Sequence, residues 1–200
     1  MKLEKLKFRS GNLFSVKLEG CPPMILDDVT VYRLGLSENM EVDEELFEKI
    51  STLSAQEGAK QAAGRMLAAG RKTESEIRQK LRQKGFDDES IRSAAELFKK
   101  GGILNDSDYA EAYIKDAVHL KKYSVRMIKQ KLYQKGVDRE TVEELTAELD
   151  DFAQLFALAE SEMRKNPDEN DLLKFKRRLF NKGFNLSDIN KVLGEFENET

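Results

Sequence analysis

Apolar residues along this chain recur at helical spacing, and the pattern repeats itself. Ile77, Leu81 and Phe86 flank Gly85, Ile128, Leu132 and Val137 flank Gly136, and Phe175, Leu179 and Phe184 flank Gly183, always eight and four positions before the glycine and one after it. Residues four apart share one helical face, so each set predicts the buried stripe of a helix. The glycines lie 51 and 47 residues apart, a period typical of stacked helical repeats. Thr73, Ser124 and Asp171, twelve positions before each glycine, are expected N-caps, and Glu76 completes a capping box with Thr73. The glycine suits the left-handed residue that closes a helix. Two positions later Asp87, Asp138 and Asn185 are expected to cap the next helix. Ile91, Val142 and Ile189, four residues beyond each cap, stand at hydrophobic-staple spacing from Phe86, Val137 and Phe184, and Phe98, Leu149 and Phe196 continue their stripe.

A more apolar helix precedes each pair. Ser54-Ala55-Gln56-Glu57 reads as a capping box opening a helix with Ala59, Ala62, Ala63, Met66 and Leu67 on one face, ending at Gly70. Tyr109, Ala110, Tyr113, Ile114 and Ala117, behind Asp106 as cap, form its counterpart in the second unit. Phe152, Leu155, Phe156, Ala159 and Met163 do so in the third, which starts at Asp150 or Asp151 and ends near Asn166-Pro167. The third helix of the second unit is expected from Asp138 to about Leu149. Before residue 54 the pattern changes. Leu3, Phe8, Leu13, Phe14, Val16 and Leu18 around Ser10-Gly11-Asn12 predict two strands joined by a tight turn. Residues 24–36 fit either a strand through Val29-Thr30-Val31-Tyr32 or a short helix capped by Asp27 or Asp28, and Val42, Leu46, Phe47 and Ile50 predict a short helix leading into the repeats. The expected architecture is all-α: three tandem three-helix repeats (residues 54–102, 103–149 and 150–200) in an elongated array, preceded by a small β-hairpin-containing N-terminal segment (residues 1–53).

Composition agrees with a helical, charge-rich chain: 40% of its 200 residues are hydrophobic, 36% are charged, and it contains no Trp and three Pro. No apolar run of membrane-spanning length and no signal-peptide pattern is present, which predicts a cytoplasmic location. The net charge of −3 hides a strong segregation. Residues 121–136 hold six basic side chains and no acidic one, whereas residues 138–151 hold seven acidic side chains and one Arg.

The repeat register exposes a basic pattern. Seven positions before the glycines stand Arg78, Lys129 and Lys176, five before stand Lys80, Lys131 and Arg178, and one before stand Lys84, Lys135 and Lys182. The last three are explained by the dipole of a helix C-terminus. Stacking the repeats would align the other six into a basic stripe on one concave face, extended by Arg82, Lys121, Lys122, Arg126 and Arg177, the usual footprint of phosphate binding. Acidic protein surface would be attracted equally. Other chemistry is thin. His119 is the single histidine and Cys21 the single cysteine, so neither a His/Cys metal site nor an intramolecular disulfide is expected. Carboxylate pairs such as Glu143-Glu144 read as exposed helix faces, and no Gly-rich phosphate loop appears, so neither a cofactor nor an enzymatic activity is expected.

Thr73-Glu74-Ser75-Glu76-Ile77 with Lys80-Leu81 and Lys84-Gly85, Gly102-Ile103-Leu104-Asn105-Asp106 with Tyr109-Ala110, and Ile128, Leu132 and Lys135-Gly136 together resemble the RecX family of bacterial recombination regulators. The resemblance covers about residues 54–200, and residues 1–53 resemble a β-rich extension of some members. Asn105 stands where the family usually has a second Asp, and Tyr123-Ser124 replaces a common glycine. What the resemblance implies is a non-catalytic protein that binds the RecA recombinase and its filament on single-stranded DNA and limits filament growth, strand exchange and ATP hydrolysis. A monomer is expected. The alternative from the residues alone is a helical nucleic-acid-binding protein that acts independently of RecA.

Overall fold

The computed structural model describes residues 1–165 and 167–197. The chain divides into two compact units, one from Met1 to Asn105 and one from Asp106 onward.

In the first unit, strands β1 (Leu3–Phe8), β2 (Leu13–Leu18) and β3 (Met24–Asp27) form an antiparallel sheet in that order, so the expected hairpin gains a third strand. Gly11, at φ +63°, makes the tight turn between the first two. The ambiguous stretch takes the helical alternative: Val29-Thr30-Val31-Tyr32 lie in helix α1 (Asp28–Arg33) and not in a strand, because β3 ends at Asp27, whose Oδ1 accepts the Thr30 N–H at 2.6 Å and caps the helix. Leu3, Val16, Leu18 and Leu26 of the sheet pack with Val31, Leu36, Val42 and Ile50 into one buried cluster.

The two helices expected around residue 54 are one. Helix α2 (Glu44–Ala68) runs unbroken for 25 residues from its N-cap Asp43. Ser54 opens no helix; its hydroxyl accepts the Ile25 N–H at 3.0 Å, and Glu57 accepts from Lys60 and Gln61 instead of closing a capping box. Tertiary packing explains the override: Leu46, Phe47, Ile50 and Leu53 cover the sheet, while Ala59, Ala62, Ala63, Met66 and Leu67 belong to the core of the first repeat. A single helix therefore serves two cores, and the 53/54 boundary falls inside it. Its glycines admit aromatic rings: a Cβ on Gly58 would lie 3.1 Å from the Phe86 ring, and one on Gly64 3.3 Å from Phe98.

Helices α3 (Glu74–Gln83) and α4 (Asp88–Lys100) complete this repeat. The predicted capping box forms, with Thr73 Oγ1 accepting from Glu76 N–H and Glu76 Oε2 accepting from Thr73 N–H, both at 3.2 Å. Past Leu81 the chain closes by two reverse bonds, Phe86 N–H to the Leu81 carbonyl at 3.3 Å and Gly85 N–H to the Arg82 carbonyl at 3.0 Å. That pair is a Schellman motif, with Gly85 at φ +85° as its left-handed residue.

The second unit holds the other two repeats. Helix α5 (Asp106–Asp116) includes Asp106 as its first residue and passes into a π-helical turn at Ala117–Lys121. Helices α6 (Val125–Gln134), α7 (Arg139–Thr146), α8 (Asp151–Met163), α9 (Glu169–Asn181) and α10 (Leu186–Glu197) follow. The same Schellman closure recurs at Gly136 and Gly183, where Val137 and Phe184 bond to the carbonyls of Leu132 and Leu179. Each repeat buries its own cluster: Ile128, Leu132 and Val142 are central to one, Phe175, Leu179 and Ile189 to the other.

Three expectations need correction here. The cap of α9 is Asp168, which accepts the Asp171 N–H at 2.8 Å, so the helix begins one turn earlier than Asp171 and places that residue in its first turn. Helix α7 stops at Thr146 rather than near Leu149; the Thr146 hydroxyl turns back to the Val142 carbonyl at 2.6 Å, the kind of side-chain bond that competes with helical continuation. Helix α8 ends at Met163, before the expected Asn166, which lies outside the described residues.

The last two repeats interlock where the C-terminus of α9 meets the N-terminus of α6. The Lys182 carbonyl accepts the Ser124 N–H at 3.0 Å, the Gly183 carbonyl accepts from Arg126 Nε at 3.2 Å, and Asp151 of α8 accepts the Val125 N–H at 2.6 Å. Orphan carbonyls of one helix thus answer orphan N–H groups of another, with their dipoles in favourable sense. Burial raises the Asp151 carboxyl above the usual range, the Val125 N–H bond working against it. The junction needs glycine: a Cβ on Gly183 would lie 2.4 Å from Ser124 Oγ and 2.7 Å from Met127 Cβ. Gly85, at φ +85°, has nothing within 4 Å of such a Cβ. Gly85→Ala is therefore expected to destabilise by the backbone penalty alone, about 1–2 kcal/mol, and Gly183→Ala by clearly more. Equal urea-unfolding midpoints for the two variants would contradict the close approach.

Candidate functional site

The stripe residues separate into three situations. Some are neutralised by carboxylates of their own repeat. Arg78 is half-buried, with Nη2 at 2.6 Å from Glu74 Oε1, and Glu74 also accepts from Lys99 at 2.7 Å. Arg82 lies 2.9 Å from Asp88. Lys129 bonds to Glu143, which also accepts the Tyr133 hydroxyl at 2.7 Å. Arg178 reaches Glu162 at 3.2 Å while its guanidinium sits 4.9 Å over the Phe175 ring. Glu143 and Glu144 are both exposed, as the sequence suggests, but Glu143 is engaged by Lys129 and Tyr133.

A second group carries no ion pair among the described residues: Lys80 and Arg177 are exposed and Lys176 is half-buried. A third gathers around one aromatic ring, with the ammonium groups of Lys131, Lys121 and Lys182 lying 5.5, 5.8 and 5.8 Å from the centroid of Tyr123. Lys122 adjoins them at φ +55°. Tyr123 is not marked by the repeat register, and Lys182, which the register does mark, is assigned there to a helix dipole. Tyr109 and Tyr113 stack on one another at 6.4 Å against the second repeat's core, in line with the core role their spacing gives them.

Arg126 and Lys129 also line an open groove of about 830 Å³ with Gln130, Tyr133, Gln134, Arg139 and Glu143. Five of these project from one face of α6 at positions i, i+3, i+4, i+7 and i+8, presenting amide and cationic donors together. The sheet carries a basic cleft of about 500 Å³ that a helical register cannot show, lined by Lys5, Lys7, Arg9 and Lys17. Its signal in the sequence is the period-two run Lys5, Lys7, Arg9, and the strand pairing sets Lys5 opposite Lys17. No group of three His, Cys, Asp or Glu side chains among the described residues is placed to hold a metal ion. No helix among them is long and apolar enough to cross a membrane.

Comparison with known proteins decides what kind of molecule carries these features. The first three-helix domain of RecX matches residues 59–100, and the second matches residues 105–145. A regulatory protein RecX of Clostridium beijerinckii is 31% identical over 96% of this chain and 94% of its own. The chain belongs to the RecX family. Regulatory protein RecX of Clostridium perfringens strain SM101 is 30% identical over 95% of this chain and 92% of its own, so the likeness to RecX includes the sheet and the third repeat. A crystal structure of regulatory protein RecX shares the fold with a TM-score of 0.72 at 20% identity, covering 97% of this chain and 98% of that one. RecX from Lactobacillus salivarius, at 23% identity and a TM-score of 0.59, covers 72% of this chain and 97% of its own. The RecX fold and a RecX regulatory role are thus established for this chain.

The acids that hold the stripe have a consequence for stability. Glu143 is drawn below the usual carboxylate range by its bonds from Lys129 and Tyr133, and Glu162 by its bond from Lys165 with Arg178 adding to it. Burial works to raise Glu74, but Lys99 and Arg78 outweigh it and the carboxyl falls as well. A carboxyl that is harder to protonate in the folded than in the unfolded chain stabilises the fold above its ordinary value of 4.5, and that contribution disappears as pH falls through the depressed one. Urea midpoints should therefore drop on acidification below that value. A Glu74→Gln, Glu143→Gln, Glu162→Gln variant should be less stable at neutral pH and show a shallower acid decline; an unchanged decline would show that these pairs contribute nothing.

Proposed function

We propose that this protein is a non-enzymatic regulator of the RecA recombinase, which binds RecA and its filament on single-stranded DNA and limits filament growth, strand exchange and ATP hydrolysis. The observation that carries this reading is the match to RecX regulatory proteins along nearly the whole chain, repeats and sheet together. The charge arrangement supports it: Lys80, Lys176 and Arg177, cations without a carboxylate partner among the described residues, stand on the second helices of the first and third repeats in a chain whose net charge is −3. A nucleoprotein filament offers both phosphates and acidic side chains, and such a surface attracts both. Counterion release makes the nucleic-acid part of that attraction salt-dependent and independent of base sequence.

The groove along α6 favours a second reading, direct nucleic-acid binding without RecA, because Gln130 and Gln134 stand beside Arg126 and Arg139. Capture of RecA by the immobilised protein, with and without single-stranded DNA, separates the two. Capture that increases when filaments form is the expected result; DNA retention indifferent to RecA would replace it with the second reading. Lys80→Gln, Lys176→Gln and Arg177→Gln together should weaken inhibition of RecA ATP hydrolysis several-fold. Stability should change little, since exposed substitutions such as those at Lys80 and Arg177 shift it by no more than about 0.5 kcal/mol each and Lys176, half-buried, loses no ion pair among the described residues. Full inhibition at the wild-type concentration by a normally folded variant would exclude this part of the stripe.

A further inference from the structure

The chain leaves regular geometry where α5 ends against the third repeat. After the π-helical turn at Ala117–Lys121, Lys122 adopts φ +55° and ψ 47°, a left-handed conformation that is strained for a non-glycine residue. Such turns and such strain persist where surrounding contacts enforce them, commonly at functional sites. The contacts are identifiable. Tyr123 N–H bonds to the Ala117 carbonyl at 3.0 Å, and Ser124 N–H bonds to the Lys182 carbonyl at 3.0 Å. The Lys182 ammonium in turn donates to the Lys121 carbonyl. Lys182 is thereby tied at both ends, across the two repeats, with its charge held over Tyr123.

Each ammonium gains a cation–π attraction from the ring, modest where it is exposed. Three like charges over one ring also repel one another, and Lys121 lies 5.1 Å from the Tyr113 ring as well. Among the described residues none of Lys121, Lys122, Lys131 or Lys182 has an ion pair. Burial and the neighbouring Arg178 and Lys122 charges lower the affinity of Lys182 for its proton. Arg178 itself is paired with Glu162. A cation cluster without an ion pair, one of whose ammonium groups is held by a backbone carbonyl, is a partly preorganised receptor for an anion.

We propose that Tyr123 with Lys121, Lys122, Lys131 and Lys182 forms a site for the backbone phosphates of a single nucleic-acid strand. The choice of nucleic acid rests on the reading of the protein as a regulator of filaments on single-stranded DNA; the anion preference rests on the cluster itself. Stacking platforms for bases present an aromatic face to the strand. Here three ammonium groups lie over the ring, so the site reads charge and not base identity.

The test uses the full chain without RecA, a fluorescent oligothymidylate, and an abasic deoxyribose-phosphate oligomer of equal length, titrated over a range of salt. The wild type should bind both oligomers alike. Lys121→Gln, Lys131→Gln and Lys182→Gln together should reduce the magnitude of the salt slope by about 2, since each phosphate contact on a single strand contributes about 0.7. Lys131→Arg with Lys182→Arg should retain it. If the triple variant fails to fold, Lys131→Gln alone decides, because that side chain is over the ring without a backbone bond of its own, and the slope should fall by about 0.7. An unchanged slope, a wild type that binds neither oligomer at low salt, or a tenfold preference for the base-bearing oligomer overturns the site. RecA capture by the same variants is scored separately: a lost slope with retained capture supports the site and leaves the regulator reading standing, while an unchanged slope with lost capture overturns the site alone.

Discussion

One backbone closure sets the geometry of every repeat. A leucine carbonyl, on Leu81, Leu132 or Leu179, accepts the N–H of the apolar residue five positions on, and the intervening glycine takes a positive φ. The leucine side chain points into the core, so the same residue anchors the helix face and the reversal of the chain. The acceptor's partner, Phe86, Val137 or Phe184, is then delivered to the start of the next helix, where Ile91, Val142 and Ile189 are buried. Because two hydrogen bonds and one glycine fix the angle, helices with different surfaces can be built on it without disturbing the core. That freedom separates the three second helices: Tyr133 and Arg126 stand on α6 where α9 has Phe180 and Leu173, both more than half exposed.

The repeated part of this fold is legible because its rules are local. Caps at Thr73, Ser124, Asp87 and Asp138, the glycines and the stripes each need only a few neighbouring residues to be recognised. The failures occur where a distant contact outweighs a local rule. Ser54-Ala55-Gln56-Glu57 satisfies the capping-box pattern, yet the sheet takes the serine hydroxyl and two cores share the uninterrupted helix. Asp171 has the right spacing for a cap, but Asp168 behind Pro167 reaches its N–H first. The charge of the basic positions is legible in the sequence and their pairing is not, since Lys129 and Glu143 are 14 residues apart. Lys182 was hidden more deeply: its place beside Tyr123 depends on the junction between two repeats, which no periodicity within one repeat encodes.

The partnership changes what the stripe can do. Exposed ion pairs such as Arg82 with Asp88 hold the fold by little, roughly 0–1 kcal/mol. They nevertheless place a carboxylate where a ligand's anion would have to bind, so an incoming phosphate must replace an existing partner to gain the same contact. Lys80, Lys176, Arg177 and the lysines around Tyr123 require no such exchange. On the proposed reading, a partner bearing many anions would gain at the cations without an ion pair first and then compete for the paired ones, whereas an isolated anion would meet only one situation at a time. Such an arrangement would favour an extended polyanion over a small one without any contact to distinguish them chemically. In a chain with 37 acidic and 34 basic residues, which cations are left without an ion pair among the described residues is not revealed by the net charge.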